Sequence, residues 1–513
     1  MNYAALFRAT LPETALEIAA LLVLVADLGF LRKAALEIRA AVAALIGVAG
    51  CAAAVWGVYA AGWAGFSAGS DQLLAAGGSA GVAQVAILVL TALTLLLLID
   101  TDFTRNAGEY VAVVLMAAAG GLIISAAQDL LVIFTGLELL SLGLYILTAF
   151  AKKSEKSAEA ALKYYLFGAM SAAFLLFGFS YLYGLSGYTS LPRVILGAYM
   201  ASATGASPLL FIALVMIAAG LGFKIAAVPF HLWAPDTYEG APAPAAAFIA
   251  SVSKVASFAL LLSISYAILW FPGMLHMAGH VTVKFSTSPA PVTPGFVTAW
   301  PLILMLLSVA SMVFGNLAAL AQSSVRRLLA YSAIAHAGYI LLGLAFFSWS
   351  NLSAQAVLYY ILTYGLTTIG AFGVVGVVER ATGSDRLDAF LGLHKRSPVL
   401  AAVLLVLFLS LAGIPPLVGF WAKFNLFAAV LGVSAGPIPF ALVALAIAFS
   451  AVSLYYYLQV LKRAYVMPAN DESPIHAHPV TLAVLIAIAA AVLVLGCFPA
   501  LLQSWIASFY PAM

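Results

Sequence analysis

The chain has 513 residues, of which 65% are hydrophobic and 8% are charged, and its mean hydropathy is +1.11. Ordinary soluble domains carry about 25% charged residues, so this composition excludes a soluble globular protein and predicts an all-α polytopic membrane protein in the lipid bilayer. The formal net charge of +3 comes from cations spread over short loops, which gives no basis for a nucleic-acid partner.

Apolar segments long enough to cross a bilayer follow one another along the chain. A straight helical crossing needs about 20 apolar residues. Fourteen segments meet this criterion, near 11–30, 38–61, 82–99, 110–127, 129–150, 162–186, 208–239, 243–270, 301–321, 328–348, 355–378, 398–431, 437–461 and 479–501. The seventh and twelfth are longer than a straight crossing requires and contain prolines, which predicts helices interrupted by an unwound stretch.

The two interrupted segments indicate an internal repeat. Pro229 follows Lys224 in the seventh span, and a proline pair precedes Lys423 in the twelfth. Because five spans separate them, an odd number, the two copies cross in opposite directions. We therefore predict two inverted five-helix repeats, spans 4–8 and 9–13. The predicted divisions are a three-helix segment at 1–109, the first repeat at 110–270, the second at 301–461, and a C-terminal loop and last span at 462–513.

The charges between the segments indicate the orientation of the chain, because cytoplasmic loops are enriched in lysine and arginine. The side that includes both termini carries only Arg8, Arg193 and Lys284. The opposite side carries fifteen cations, namely Arg32, Lys33, Arg39, Arg105, Lys152, Lys153, Lys156, Arg326, Arg327, Arg380, Arg386, Lys395, Arg396, Lys462 and Arg463. We therefore expect both termini to face outward.

Four lysines and one glutamate lie within or at the edge of the apolar segments: Lys163, Lys224, Lys254, Lys423 and Glu138. An ionisable group near the bilayer centre costs roughly 2.5–3.5 kcal/mol even on a lenient scale, so it is expected to face a protein interior or a water-filled cavity. Prolines break the helix between two of these lysines, and a broken backbone is tolerated at membrane depth only beside a cavity or within protein. Buried charge next to a broken helix predicts an ion pathway.

Glu138 lies near the middle of the fifth span and needs a cationic partner, for which Lys224 is the best candidate. A proton arriving on Glu138 would weaken its hold on Lys224 and send the lysine proton onward to Lys254. Lysine suits this role because a desolvated amine releases its proton near neutral pH, whereas arginine stays charged. The alternative is a set of static ion pairs, or lysines that extend to the interface, as suits Lys163 at the cytoplasmic start of the sixth span.

His336 lies in the middle of the tenth span. A single intramembrane histidine is more often a hydrogen-bonded packing residue than a ligand. Here the predicted repeat makes the tenth span the counterpart of the fifth and places His336 near the depth of Glu138. An imidazole titrates in the right range to pass protons between Lys254 and Lys423.

The sequence offers no motif for a bound metal or nucleotide. Cys51 and Cys497 lie in apolar segments without a CxxC or a zinc-type spacing, and there is no Walker A lysine loop. We expect neither a metal site nor nucleotide-driven transport.

Three motifs resemble the subunit N family of the proton-pumping NADH:quinone oxidoreductase, respiratory complex I. They are KIAAVPFHLWAPDTYEGAPAP followed by SVSK, GLELLSLGLY in the fifth span and GIPPLVGFWAKF in the twelfth. The broader family includes complex I subunits M and L and the large subunits of cation/proton antiporters. The YEGAP segment and a lysine at 423 favour N over M, and the chain length leaves no room for the lateral helix of L-type chains.

The resemblance implies a fold of two inverted five-helix repeats and proton-channel charges at Glu138, Lys224, Lys254 and Lys423, with the position of Lys163 often basic. It implies a translocase subunit of the bacterial inner membrane with no flavin, iron–sulfur cluster or NADH of its own. Its partners would be other membrane-arm subunits, including antiporter-like ones, and quinone reduction elsewhere in the complex would drive the protons. Two other functions remain open: a cation/proton antiporter subunit without a redox partner, and a purely structural membrane-arm subunit.

Overall fold

The computed structural model describes residues 7–60, 73–75, 77–100, 103–203, 207–277, 295–347, 351–433, 436–469 and 471–509. Within these ranges the chain is almost entirely helical, and its β structure consists of three isolated bridges between loops. The all-α prediction is therefore confirmed. Lys284, one of the cations assigned to the outer side, lies outside the described residues, as do both chain ends.

We number the spans α1–α14 and give the halves of a broken span the letters a and b. Their bounds are α1 Leu11–Val25, α2 Leu36–Ala60, α3 Gly78–Leu98, α4 Ala107–Ala126, α5 Leu130–Thr148, α6 Glu155–Ser186, α7a Ser207–Ile225, α7b Trp233–Gly240, α8 Ala243–Phe248 continued by the π-helical turn Ile249–Ser253 and by Lys254–Met277, α9 Gly295–Leu320, α10 Val325–Ala345, α11 Asn351–Thr382, α12a Pro398–Ala412, α12b Val418–Val433, α13 Pro437–Tyr465 and α14 Pro479–Cys497. Shorter helices lie outside the spans, among them Leu191–Ala203 and Pro499–Ser508.

The described ranges contain helices at all fourteen of the predicted spans. Twelve helices of the described ranges are individually long and apolar enough to cross a bilayer. The other two spans are α1, which a π-helical turn extends to Phe30, and α12, which consists of two shorter apolar halves.

Capping residues in the polar loops decide where several spans begin. The side chains of Asp129, Ser154 and Ser324 each accept a backbone N–H in the first turn of α5, α6 and α10. These acceptors satisfy donors that have no partner inside the helix. Each cap therefore places the start of a helix at a defined residue, and with it the depth of the side chains that follow.

The two predicted repeats have the same packing and the same loop pairing. α4 packs along α5 as α9 packs along α10, and α6 packs along α7a as α11 packs along α12b. An antiparallel bridge joins Asp129 before α5 to Ser190 after α6, and a second bridge joins Ser324 before α10 to Arg386 after α11. The repeats α4–α8 and α9–α13 are thus confirmed, while the residue limits 1–109, 110–270, 301–461 and 462–513 remain predictions.

These bridges also show which residues of the two repeats correspond to each other. Matching Asp129 with Ser324 makes Ala333 the counterpart of Glu138, since both follow the cap by nine positions in the sequence. His336 then corresponds to Ser141. The expectation that His336 matches Glu138 in depth is therefore corrected by about one helical turn.

α7 and α12 are interrupted where the prolines predicted. The unwound linkers are 226–232 and 413–417, and each contains a cis X–Pro bond. Each linker begins with a residue in the left-handed region, Ala226 with φ +57° and Gly413 with φ +87°. Both breaks therefore turn the chain in the same way immediately after the first half-helix.

The most enclosed helices lie between the two breaks. In α8 and α10, 94% of the residues in the apolar window are buried inside the chain, against 22% in α13 and 33% in α6. α8 and α10 carry Lys254 and His336, so these two side chains lie at the centre of the bundle rather than at its lipid-facing surface.

Candidate functional site

Lys224 is buried at the end of α7a, one residue before the helix stops. Its amine donates a short hydrogen bond to the hydroxyl of Ser141 on α5 and lies 5.6 Å from the centre of the Phe223 ring. Only 7% of the side chain is exposed, which keeps it away from both lipid and bulk water. The break therefore presents this amine to α5 inside the first repeat.

Glu138 is half-buried on α5, one turn before Ser141. Residues three apart on a helix lie on the same face, so Glu138 and Ser141 both face the region of Lys224. The carboxylate attracts the Lys224 amine electrostatically, but the ion pairs found within the described ranges do not include these two groups. The sequence predicts a direct ion pair between Glu138 and Lys224. In the structure the Lys224 amine instead binds the hydroxyl of Ser141, one turn from Glu138 on the same helix.

Lys254 follows the π-helical turn of α8 and is 3% exposed. Its amine donates a hydrogen bond of 2.8 Å to the carbonyl oxygen of Ala333 on α10 and lies 5.9 Å from the centre of the Tyr364 ring. Ala333 is the counterpart of Glu138 in the second repeat. Lys254 of the first repeat therefore contacts the second repeat directly.

His336 lies three residues beyond Ala333 on α10, among aromatic rings and hydroxyl groups. Its Nδ1 is 2.8 Å from the Tyr360 hydroxyl, and its Nε2 is 3.4 Å from the Tyr457 hydroxyl. The imidazole also lies 4.9 Å from the ring of Tyr364, the same ring that faces Lys254. Tyr364 thus touches both titratable groups.

Lys423 lies on α12b beyond the second break and is 5% exposed. Its amine donates to the carbonyl oxygens of Leu411 at 3.1 Å and Ala412 at 2.9 Å, and to the Ser450 hydroxyl at 2.8 Å. An ammonium group has three N–H donors, so these three acceptors match a protonated amine. The broken helix supplies two of them, because the last carbonyls of α12a have no partner within the helix.

Aromatic rings and a cavity connect His336 with Lys423. The Tyr339 ring lies 5.8 Å from the imidazole and 5.4 Å from the Lys423 amine. A small cavity lies beside the imidazole and reaches Leu411, whose carbonyl oxygen binds Lys423. Lys254, His336 and Lys423 therefore lie in a row through the middle of the bundle, with the Tyr364 ring between the first two and the Tyr339 ring between the last two.

Lys163 is placed apart from this row. It is 42% exposed on α6, and its amine pairs with Glu159 at 2.7 Å and with Asp236 of α7b at 2.8 Å. It lies about two turns inside α6 rather than at its start, because the helix begins at Glu155. The structure therefore joins Lys163 to the second half of the broken helix.

Several residues of the site were not predicted from the sequence. Ser141, Ala333 and Ser450 are partners of the three buried lysines, and nothing in their local sequence distinguishes them from other small helical residues. The tyrosines at 360, 364 and 457 were detectable as polar groups within spans. Asp236 and Arg327 form an ion pair of 2.7 Å that joins α7b to α10, a contact that the loop position of Arg327 in the sequence does not indicate.

The described ranges contain no group of three or more histidine, cysteine, aspartate or glutamate side chains placed to hold a metal ion. The clustered side chains of the site are amines, hydroxyls and one imidazole. They suit the transfer of protons better than the binding of a metal.

A family model described as NADH:quinone oxidoreductase/Mrp antiporter, TM, matches the chain twice, over residues 127–283 and 268–450. NADH-quinone oxidoreductase subunit N 2 of Acidobacterium capsulatum is 46% identical over 99% of both chains. The chain belongs to the subunit N family. NADH-quinone oxidoreductase subunit N 1 of Roseiflexus castenholzii is 40% identical over 83% of this chain and 78% of its own length.

A solved structure shows that the likeness to the subunit N family extends to the fold. A chain of respiratory complex I from Thermus thermophilus with bound aureothin is 33% identical, with a TM-score of 0.75 over 97% of this chain and 99% of that one. The double match of the family model agrees with the two repeats found in the packing. The resemblance read from the three sequence motifs is therefore confirmed at the level of the subunit N family.

Proposed function

We propose that this chain is a proton-translocating membrane-arm subunit of a respiratory NADH:quinone oxidoreductase. The observation that carries the proposal is the buried row of Lys254, His336 and Lys423, in which one aromatic ring lies between each pair of neighbours and Lys254 binds the second repeat. Three charged groups deep in a membrane bundle, Glu138, Lys224 and Lys254, are a costly way to hold helices in register. Membership of the subunit N family gives the same reaction class.

In this proposal Glu138 controls the first step. Its charge attracts the amine of Lys224, which Ser141 binds at the end of α7a. Protonation of the carboxylate removes that attraction and lets the lysine proton move on. Lys254 is the next acceptor, and its contact with Ala333 on α10 places it at the border of the two repeats.

The second repeat then carries the proton outward. His336 has a hydroxyl group at each ring nitrogen, so a proton can be accepted on one nitrogen and released from the other. Lys423, with three acceptors around its amine, is the last buried group that carries the proton. Lys163 stands outside this row at the cytoplasmic end.

The proposal includes three further expectations. The chain binds no flavin, iron–sulfur cluster, NADH or metal, and other subunits carry out the redox chemistry that drives it. Its neighbours are other membrane-arm subunits, including antiporter-like ones. It lies in the bacterial inner membrane with both termini on the periplasmic side, as the distribution of lysine and arginine between the loops favours.

The test uses arginine, which keeps a positive charge but does not release its proton near neutral pH. Lys224→Arg and Lys254→Arg are introduced into the complex, which is purified and placed in lipid vesicles. We expect NADH-driven acidification of the vesicle lumen to fall by about tenfold or more, a typical loss for a proton-transfer group. Lys33→Arg, an exposed loop lysine, is the control. Full pumping by both variants would refute the proposed path.

The same vesicles separate the two other candidate functions. A cation/proton antiporter subunit would show sodium-dependent pH changes without NADH oxidation. If the subunit were purely structural, the variants would reduce the amount of assembled complex. The pumping rate of each assembled complex would stay unchanged. We expect assembled complex, no sodium effect in the absence of NADH, and pumping that depends on the buried lysines.

A further inference from the structure

The short half-helix α7b is held at its cytoplasmic end by charges from both repeats. Asp236 accepts hydrogen bonds from Lys163 of α6 at 2.8 Å and from Arg327 of α10 at 2.7 Å. Glu239, one turn further along, accepts from Arg327 at 3.0 Å and from Lys156 of α6 at 3.4 Å. Since α6 belongs to the first repeat and α10 to the second, these two carboxylates link the repeats.

A neighbouring arginine strengthens the link on the α10 side. Arg326 is 3% exposed and donates to the carbonyl oxygens of Tyr238 and Ala241, at the end of α7b. It also pairs with Glu379 of α11 at 3.1 Å. The first turn of α10 thus binds both the side chains and the backbone of α7b.

α7b is in contact with the proton path at its other end. The indole N–H of Trp233, the first residue of α7b, donates to the carbonyl oxygen of Phe223 at 2.9 Å. Phe223 directly precedes Lys224. The Trp233 ring also stacks on Tyr164 of α6 at 4.2 Å, next to Lys163 in the chain.

α10 is in contact with the path as well. It runs without a break from Val325 to Ala345, so Arg327, Ala333 and His336 belong to one rigid element. A displacement of α7b relative to α10 would therefore change the distance between the Lys224 region and the Ala333 carbonyl that binds Lys254.

We propose that Asp236 is a positioning residue that holds α7b between Lys163 of α6 and Arg327 of α10, and so transmits changes at Lys224 to the Lys254–His336 region. In this arrangement Lys163 acts on the proton path only through Asp236 and does not itself carry a proton. The inference rests on the proposed function, because it names how the two halves of that path are coupled.

The surroundings of Lys163 support this assignment. Its amine is held by two carboxylates, Glu159 and Asp236, and it is partly exposed at the end of the bundle. Ion pairs that are this exposed contribute little to folding stability. Their defined geometry on a short half-helix is better explained by positioning, since energetic coupling passes through rigid elements that share contacts.

The experiment compares a conservative and a neutral replacement in the assembled complex in vesicles. Lys163→Arg keeps the charge and the hydrogen bonds but does not release a proton, so we expect it to retain most of the pumping. Lys163→Gln and Asp236→Asn each remove the ion pair, and we expect pumping per NADH oxidised to fall by roughly two- to thirtyfold, the range of such coupling effects. The double variant should pump no worse than Asp236→Asn alone, because Asp236→Asn already breaks the contact with Lys163.

Glu159→Gln is the matched control. It removes a carboxylate from the same lysine, but Glu159 is 65% exposed and forms no ion pair with α7b among the described residues. We expect it to pump like the parent. All rates are taken per assembled complex, measured by the amount of this chain in the purified preparation.

Two results would overturn the inference. One is loss of pumping in Lys163→Arg, which would make Lys163 a proton carrier. The other is unchanged pumping in Asp236→Asn, which would leave the link without a role. Lys224→Arg, measured in parallel, distinguishes failure of this inference from failure of the proposed function. Normal pumping by Lys224→Arg would refute the proposed proton path itself. If Lys224→Arg does not pump, either of the two results above refutes only the coupling through Asp236.

Discussion

The hydrogen bonds of Lys423 lead to a specific prediction at Ser450. The Ser450 hydroxyl is one of three acceptors around the amine, at 2.8 Å, and the other two are backbone carbonyls of α12a. Ser450→Ala removes the side-chain acceptor and leaves both carbonyls in place. The change therefore weakens the binding of a protonated amine without altering the break or the lysine.

The expected size of the Ser450→Ala effect follows from the loss of this single hydrogen bond. A hydrogen bond to a charged group contributes about 1.5–3 kcal/mol. Ser450 is only partly buried, so water replaces part of the lost bond and the lower end of that range applies. About 1.4 kcal/mol corresponds to a tenfold change in an equilibrium constant, so the ratio of protonated to neutral Lys423 should fall roughly tenfold. Pumping through this chain should slow by up to the same factor.

The assay is NADH-driven acidification of vesicles containing the purified complex, divided by the rate of NADH oxidation. Ser453→Ala is the control, since the Ser453 hydroxyl donates to the Ser450 carbonyl oxygen at 2.6 Å and not to the lysine. We expect the control to pump like the parent. Equal pumping by Ser450→Ala and Ser453→Ala would refute the assignment of Lys423 as a bound stop on the path.

The other predictions concern the same path. Glu138→Ala should leave the complex assembled but lower proton pumping and coupled quinone reduction, because Lys224 loses the charge that controls it; a fully active variant would falsify the gating role. Lys423→Glu should change the number of protons moved per NADH, since an anion replaces the cation at the last buried site, and an unchanged ratio would contradict this. Gly413→Ala should lower pumping, because its Cβ would lie 3.0 Å from the Lys423 side chain in a left-handed conformation with φ +87°. Gly187→Ala is its control, with φ +74° and open space around the added methyl, so both variants carry a similar backbone strain of about 1–2 kcal/mol but only the first should affect pumping.

Much of the architecture was predictable from local chemistry. Apolar length determines which segments cross a bilayer, and prolines break a helix wherever they occur inside it. The fourteen spans, the breaks in α7 and α12 and the inverted repeats therefore follow from residue order alone. The intramembrane lysines and Glu138 were detectable because a charged residue inside an apolar segment is costly in free energy and therefore rare without a function.

The connections between these residues were less predictable, because partners distant in sequence are brought together only by helix packing. Lys224 meets Ser141, Lys254 meets the Ala333 carbonyl oxygen, and neither contact depends on a local pattern. The register between the repeats also depends on loop pairing, which moved His336 one turn from its expected counterpart. The contact between Arg327 and Asp236 likewise depends on packing, because the two residues are 91 positions apart in the chain.

The sequence by itself determined that this protein crosses a membrane many times, that two of its helices are broken and that a few titratable groups lie at depth, because hydrophobic length and proline geometry act locally. The tertiary structure decided which of those groups lie together. It places Lys254, His336 and Lys423 in one row, and it sets Lys163 apart with Asp236, because the packing of α7b between α6 and α10 brings charges from two repeats onto one half-helix.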